Sequence, residues 1–197
     1  MYNKFMYFVK DEFSVTYEEK KSKFVAFLTP YDKFNLLMTR LKKEHPKARH
    51  FVYAYRYLNE FDQVVENCSD DGEPKGTSGK PTLSVLGGNE LINSAVIIVR
   101  YFGGIKLGTG GLVRAYGNAA NLVINNSKLS TYEKLKIISI NIDYSLLSKL
   151  EYSLNKLNIK IINKEFENDV LLTLSLTKEQ LKILEKEIPR SVNIIKL

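Results

Sequence analysis

The sequence of 197 residues holds one cysteine, two histidines and no apolar run of membrane-spanning length, and each scarcity removes a class of protein. A lone thiol, Cys68, cannot close an internal disulfide, so a bridge-stabilised secreted fold is excluded and a reducing, cytoplasmic setting is expected. His45 and His50 have no cysteine beside them, which argues against the ligand clusters that build zinc sites. The first ten residues interleave charges with aromatics and lack the apolar core of a signal peptide. No later segment approaches the roughly 18 apolar residues that cross a bilayer, so neither export nor membrane insertion is expected. Low-complexity tracts are absent. What remains is a globular composition, 44% hydrophobic and 26% charged, with 29 Lys and Arg against 22 Asp and Glu. The formal charge of +7 favours acidic partners without naming one.

Periodicity places the elements. Phe13 to Tyr17 and Phe24 to Leu28 read as two extended runs joined by a charged turn, a hairpin. From Asp32 to Glu44, Phe34, Leu37, Met38 and Leu41 recur at helical spacing, with Asp32 as N-cap and Pro46 beyond the end. His50 to Leu58 and Gln63 to Cys68 read as paired strands, and the turn-rich Asp70 to Lys80 as a loop leading into a short helix. Ser94 to Arg100 is a continuous apolar run suited to a strand covered on both faces. Five of the eleven glycines follow within nine residues, Gly103 to Gly111, and then Leu112 to Ile124 at helical spacing. Beyond Asn125-Asn126-Ser127 glycines become scarce and Ile, Leu and Lys abundant, which sets a boundary between domains at 1–130 and 131–197. The second reads as strand Lys136 to Tyr144, helix Leu146 to Leu157, strands Ile159 to Phe166 and Val170 to Leu176, helix Lys178 to Ile188 and strand Val192 to Leu197. That order, βαββαβ, is the ferredoxin-like plan, and the fold class expected is α+β in two domains.

The glycine-rich segment is the main candidate site. Backbone N–H groups can approach an anion where no side chain intervenes, and a following helix N-terminus adds a favourable dipole. Arg100, Lys106 and Arg114 would surround it with positive charge. The spacing is neither a P-loop nor a dinucleotide fingerprint. Tight turns and close helix-to-sheet packing are the alternative use of these glycines. Asp70, Asp71 and Glu73 form the compact carboxylate cluster, able in principle to hold magnesium or to work as acid and base, or to serve the turn they sit in. Thr77 and Ser78 would need His45 or His50 brought in by the fold to make a hydrolase. From Arg40 to Arg56, basic Arg40, Lys42, Lys43, Lys47, Arg49 and Arg56 alternate with Phe51, Tyr53, Tyr55 and Tyr57. Single-stranded RNA surfaces use that pairing of cations and rings; an amphipathic strand beside a solvated helix end uses it too. Cys68 reads as a small buried hydrophobe.

Two long stretches carry a resemblance. They are Asp70-Asp71-Gly72-Glu73-Pro74-Lys75-Gly76-Thr77-Ser78-Gly79-Lys80-Pro81 and the segment from Val99 to Tyr116, with Arg100-Tyr101-Phe102-Gly103-Gly104 and Gly108-Thr109-Gly110-Gly111 inside it. In both the chain closely resembles the IMPACT family, bacterial YigZ type, over essentially its whole length. The segment Ala48-Arg49-His50-Phe51-Val52-Tyr53-Ala54-Tyr55-Arg56 keeps the family's histidine, Ala-Tyr and arginine but has Val52 where cysteine is common, which excludes thiol chemistry there. The resemblance implies an N-terminal domain of the ribosomal-protein βαβ type, like the fourth domain of elongation factor G, and a ferredoxin-like C-terminal domain like that factor's fifth. Eukaryotic relatives bind the activator of the general-control kinase and regulate translation initiation.

The expectation is therefore a non-catalytic cytoplasmic binding protein of translation or stress adaptation, with no cofactor and no metal, contacting RNA or the ribosome. Its face would combine His50, Arg56, Asp71, Glu73, Lys75, Arg100, Tyr101, Gly103, Gly104, Lys106, Gly108, Gly110, Gly111 and Arg114. A protein-binding adaptor on the same surface, and a magnesium-dependent enzyme acting on a phosphorylated substrate, are the alternatives.

Overall fold

A computed structural model of the chain describes residues 5–188 and 193–196, and divides it into two units, Met1–Tyr132 and Glu133–Leu197. It is α+β throughout. The first unit begins with β1 (Met6–Val9), then β2 (Phe13–Glu19) and β3 (Ser22–Pro30) as a hairpin. The hairpin is longer than its apolar runs and turns tightly on Lys20 and Lys21, both at positive φ. A 3-10 turn, Tyr31–Lys33, precedes α1 (Phe34–Glu44). Asp32 thus lies inside the turn and caps nothing; the N-cap position falls to Lys33, whose side chain makes no cap bond. Then come β4 (His50–Leu58), β5 (Val64–Ser69), α2 (Gly79–Gly88), β6 (Ser94–Tyr101), α3 (Gly108–Asn125) and β7 (Leu129–Tyr132).

Five strands form one antiparallel sheet in the order β2-β3-β6-β4-β5. The apolar run of β6 is explained by its place at the centre. Val96 and Ile98 face Phe24, Leu28, Val52 and the Ala115, Ala119 and Val123 stripe of α3, whereas Ile97 and Val99 face Leu37 and Leu41 of α1. Alternate residues of one strand thus serve two cores. The N-terminal strand β1 pairs with β7, Met6 opposite Tyr132, and also exchanges backbone bonds with the turn after α2, Tyr7 N donating to Glu90 O and Ile92 N to Tyr7 O. Local periodicity carries no trace of such a contact.

The helix α3 starts at Gly108, four residues before its apolar periodicity, so Gly108, Gly110 and Gly111 are helical and only Gly103 and Gly104 belong to the loop. Gly117, in mid-helix, has open space where a Cβ would stand. Gly117→Ala is expected to stabilise the first unit by about 1 kcal/mol, the helix-propensity difference, seen as a rise in the urea midpoint without change in slope.

The second unit runs β8 (Leu135–Ile142), α4 (Tyr144–Lys156), β9 (Lys160–Phe166), β10 (Val170–Thr177), α5 (Lys178–Glu187), β11 (Asn193–Lys196), in an antiparallel sheet ordered β11-β8-β10-β9. Val192 and Leu197, expected in the last strand, lie outside the described residues, as do the first four of the chain. Asp143 caps α4 through Ser145 N, and Thr177 with Gln180 forms a capping box on α5. The inward residues of β8 and β10, Ile138, Ile140, Leu172 and Leu174, meet Leu150, Leu154, Leu181 and Leu184 in a core of this unit's own. Among the described residues no helix is long and apolar enough to cross a membrane.

Candidate functional site

The loop from Asp70 to Ser78 is held from within. Asp70 Oδ1 accepts hydrogen bonds from Ser78 N, Ser78 Oγ and Gly79 N, and Oδ2 one from Gly76 N at 2.7 Å. A carboxylate eight residues upstream thus supplies the cap that α2 lacks from its own N-cap side chain. Burial pushes the Asp70 carboxyl up, but these donors outweigh it and hold the group below its ordinary value. Thr77 Oγ1 donates to Pro74 O. Both hydroxyls of the loop are therefore committed to its shape, and among the described residues neither has a histidine as hydrogen-bond partner.

Asp71 turns the other way: Oδ2 accepts from Phe51 N at 2.6 Å and its carbonyl accepts from His50 Nδ1 at 2.8 Å. Because a carbonyl only accepts, His50 carries a proton on Nδ1, and its Nε2 stands 3.9 Å from Glu73 Oε1. Glu73 points inward. Its Oε1 accepts from Arg100 Nη1 at 2.5 Å and from the Tyr116 hydroxyl at 2.8 Å. The three carboxylates of the expected cluster therefore serve three separate partners. Among the described residues no group of three or more His, Cys, Asp and Glu side chains is placed to share a cation.

Arg100 is 6% exposed, so it is a core cation and not a surface one. Strand register sets it between His50 on β4 and Phe24 on β3. Its guanidinium lies 5.4 Å from the Phe24 ring centre and 5.8 Å from that of Phe102, and its Nε is buried without an acceptor. Tyr116, fully buried, packs edge-on against Phe24 at 5.1 Å. Burial, reinforced by the neighbouring Glu73 charge, pushes the Tyr116 phenol far up, so it stays a donor. Tyr116 has no place in the expected face, although it ends the second of the two motif stretches and sets a polar-tipped ring within an alanine-rich helical stripe.

Beside this cluster lies a cavity of about 360 Å³, lined by Glu73, Pro74, Arg100, Phe102, Lys106, Leu107 and the start of α3 at Gly108 and Thr109. No side chain caps that helix start and no acidic residue stands in its first turn. Gly108 takes φ of +71° and Gly104 φ of +86°, conformations that glycine adopts without strain. Gly103 approaches closely: a Cβ there would stand 2.0 Å from the Lys21 backbone. A Cβ added at Gly111 would stand 3.1 Å from the Cβ of Leu107. Exposed Arg114 leans back over Gly110, whose Cβ would lie 3.9 Å from its Nη1. Neither Lys106 nor Arg114 has a hydrogen-bond or ion-pair partner among the described residues. Lys75, on the Asp70 loop, is exposed as well.

Two residues expected on this face are elsewhere. Arg56 shares the parity of His50 on β4 but lies about 20 Å along the strand, and it donates to Glu66 Oε1 at 2.7 Å and to Leu91 O at 2.9 Å. Tyr101, one residue past Arg100, faces the α1 side, where its hydroxyl meets His45 Nδ1 at 2.7 Å. Cys68 is half-buried against the first core, and burial, helped by the Asp70 charge, pushes its thiol up.

This arrangement, a two-part α+β chain whose motif segments close around one cavity, meets its match in known proteins. Residues 20–124 match the Impact N-terminal domain and residues 140–189 a domain of unknown function, DUF1949. An IMPACT family member of Haemophilus influenzae is 36% identical over 154 residues, 76% of this chain and 75% of that protein. The IMPACT family member YigZ of Escherichia coli is 36% identical over 152 residues, 76% of this chain and 74% of that one. A crystal structure of a hypothetical protein aligns with 98% of this chain and 97% of its own, with a TM-score of 0.69 and 30% identity. The chain belongs to the IMPACT family, in its bacterial YigZ type.

Proposed function

We propose that this protein is a non-catalytic binding protein of translation or stress adaptation that takes RNA, alone or in the ribosome, on the face where α3 begins. The observation that carries the reading is the cavity at that helix start. Its amides are uncapped, free Lys106 lines it, and buried Arg100 neutralises Glu73 and retains an unused Nε–H. A phosphate brought there meets donors and a helix dipole, with the one neighbouring carboxylate already compensated. The βαββαβ order and the strand order β11-β8-β10-β9 support a ferredoxin-like second unit. The first unit is read as the ribosomal-protein type of elongation factor G's fourth domain. Fold likeness to a factor that enters the ribosome is analogy, and the site carries the argument.

Sedimentation with ribosomes across a salt series tests it. Co-sedimentation that weakens with salt, and a salt slope shallower by about one for each of Lys106→Ala and Arg114→Ala, is the expected result. A protein that stays at the top of the gradient at every salt concentration overturns it. The exposed side chains of Phe102, Ile105 and Val113 around the glycine segment favour a folded protein partner as the second reading. A specific partner retained after nuclease treatment would select that one. The carboxylates, each spent on its own donors, lend no support to a magnesium-dependent reaction.

A further inference from the structure

The tyrosines of β4 that face the α1 side are not all core residues. Phe51 and Tyr53 pack with α1, and Tyr55 meets Phe34 of that helix edge-on at 5.3 Å, but Tyr57 and Tyr31 of the 3-10 turn lie outside that cluster and stay half-buried. These two stack on each other instead. Tyr31 and Tyr57 are parallel within 6° at 4.2 Å between ring centres; Tyr55 lies 6.1 Å from Tyr57 and 6.0 Å from Tyr53. The ladder ends at a cavity of about 640 Å³, of small-molecule size, lined by Phe8, Tyr31 and Tyr57. Lys10 and Lys33, both exposed, flank it, against Asp32 as the one acidic side chain in its lining.

We propose that this aromatic cavity is a stacking site for bases of single-stranded RNA, Tyr31 and Tyr57 supplying ring faces and Lys10 and Lys33 meeting the adjoining phosphates. Aromatic faces accept any base, and the stacked pair of Tyr31 and Tyr57 that lines the cavity offers a platform to the base that enters it. A proline-rich peptide also uses aromatic grooves, but two ammonium groups against one carboxylate favour a polyanion. The cavity lies at the opposite end of β6 from the one at α3, since Asn93, just before the strand, lines it, whereas Arg100 and Phe102 line the other. The inference rests on the RNA-binding reading and adds to it where the bases go.

Anisotropy of a 5′-fluorescein-labelled octauridylate, titrated with the full chain, tests it. Tyr31→Ala and Tyr57→Ala, each shown folded by its melting curve, are expected to weaken binding by about tenfold or more, whereas Tyr57→Phe, which keeps the ring, stays within about twofold. Lys33→Ala should lower the salt slope by about 0.7. The chain has no tryptophan, so tyrosine emission can be followed, and a quench on binding that is present in the unaltered protein but reduced in Tyr57→Ala is expected from the stack. Octauridylate binding unchanged in Tyr57→Ala but lost in Lys106→Ala would overturn the stacking site and leave the RNA reading standing; no binding by the unaltered protein would remove both. Uridine monophosphate competing as well as the octamer, or a proline-rich peptide quenching the tyrosines in its place, would also overturn it.

Discussion

Glu73→Gln is expected to cost the first unit about 3–5 kcal/mol, enough to bring unfolding within reach of physiological temperature. The substitution keeps the volume and removes the charge. Arg100, 6% exposed and paired with Glu73 Oε1, would be left as an uncompensated buried cation. That penalty exceeds anything the pair contributes as an interaction, because desolvation of the guanidinium is no longer offset. Tyr116 would lose its anionic acceptor at the same time. Glu73→Met combined with Arg100→Met separates this explanation from mere loss of contact: removing both charges should cost markedly less than the sum of the single changes. Urea unfolding of the four proteins reads the cycle, and additive costs would show that the two side chains are not coupled.

Gly103→Ala should be almost as damaging, for a steric reason. The added methyl would stand 2.0 Å from the carbonyl carbon and oxygen of Lys21 and 2.4 Å from Ser22 N. These are backbone atoms of the tight turn between β2 and β3, so no side-chain rotation relieves the overlap. Either the glycine segment or the hairpin must move, at about 3 kcal/mol or more. Gly104→Ala is the control, since its surroundings are open and only a positive φ is strained, at about 1 kcal/mol. Equal urea midpoints for the two variants would show that the contact with the hairpin does not constrain the loop.

Much of the architecture is legible in local pattern. The Val-Ile-rich run of β6 announces a doubly covered central strand, and alternation along it already sets Tyr101 on the opposite face from Arg100. The helices α4 and α5 begin within two residues of the starts that their apolar spacing predicts, Leu146 and Lys178. Where local pattern misleads, a tertiary contact has outweighed it. The helix α3 runs through Gly108, Gly110 and Gly111 although glycine disfavours helix, because its buried stripe from Leu112 to Ile124 packs on the sheet and the first turn extends from it. The pairing of β1 with β7 joins residues more than a hundred apart and has no periodic signature. For the site, the motif segments are conspicuous in sequence while their roles are not. Asp70, Asp71 and Glu73 look like one cluster because they are neighbours in the chain, yet the turn sends them to Gly79, Phe51 and Arg100 respectively. Arg100 looks like a free cation and is a buried counter-ion.

Taken alone, the sequence determines the class of most elements, β1, β7 and the 3-10 turn excepted, the two-part α+β organisation and the motifs that mark the family, because these depend on hydrophobic period, turn chemistry and order along the chain. Which charges are free, which are spent, and which tyrosines stay uncovered was decided only by the tertiary structure. A side chain's partner is chosen by sheet register and by how far α1 extends over the strands, and both follow from packing between residues distant in sequence.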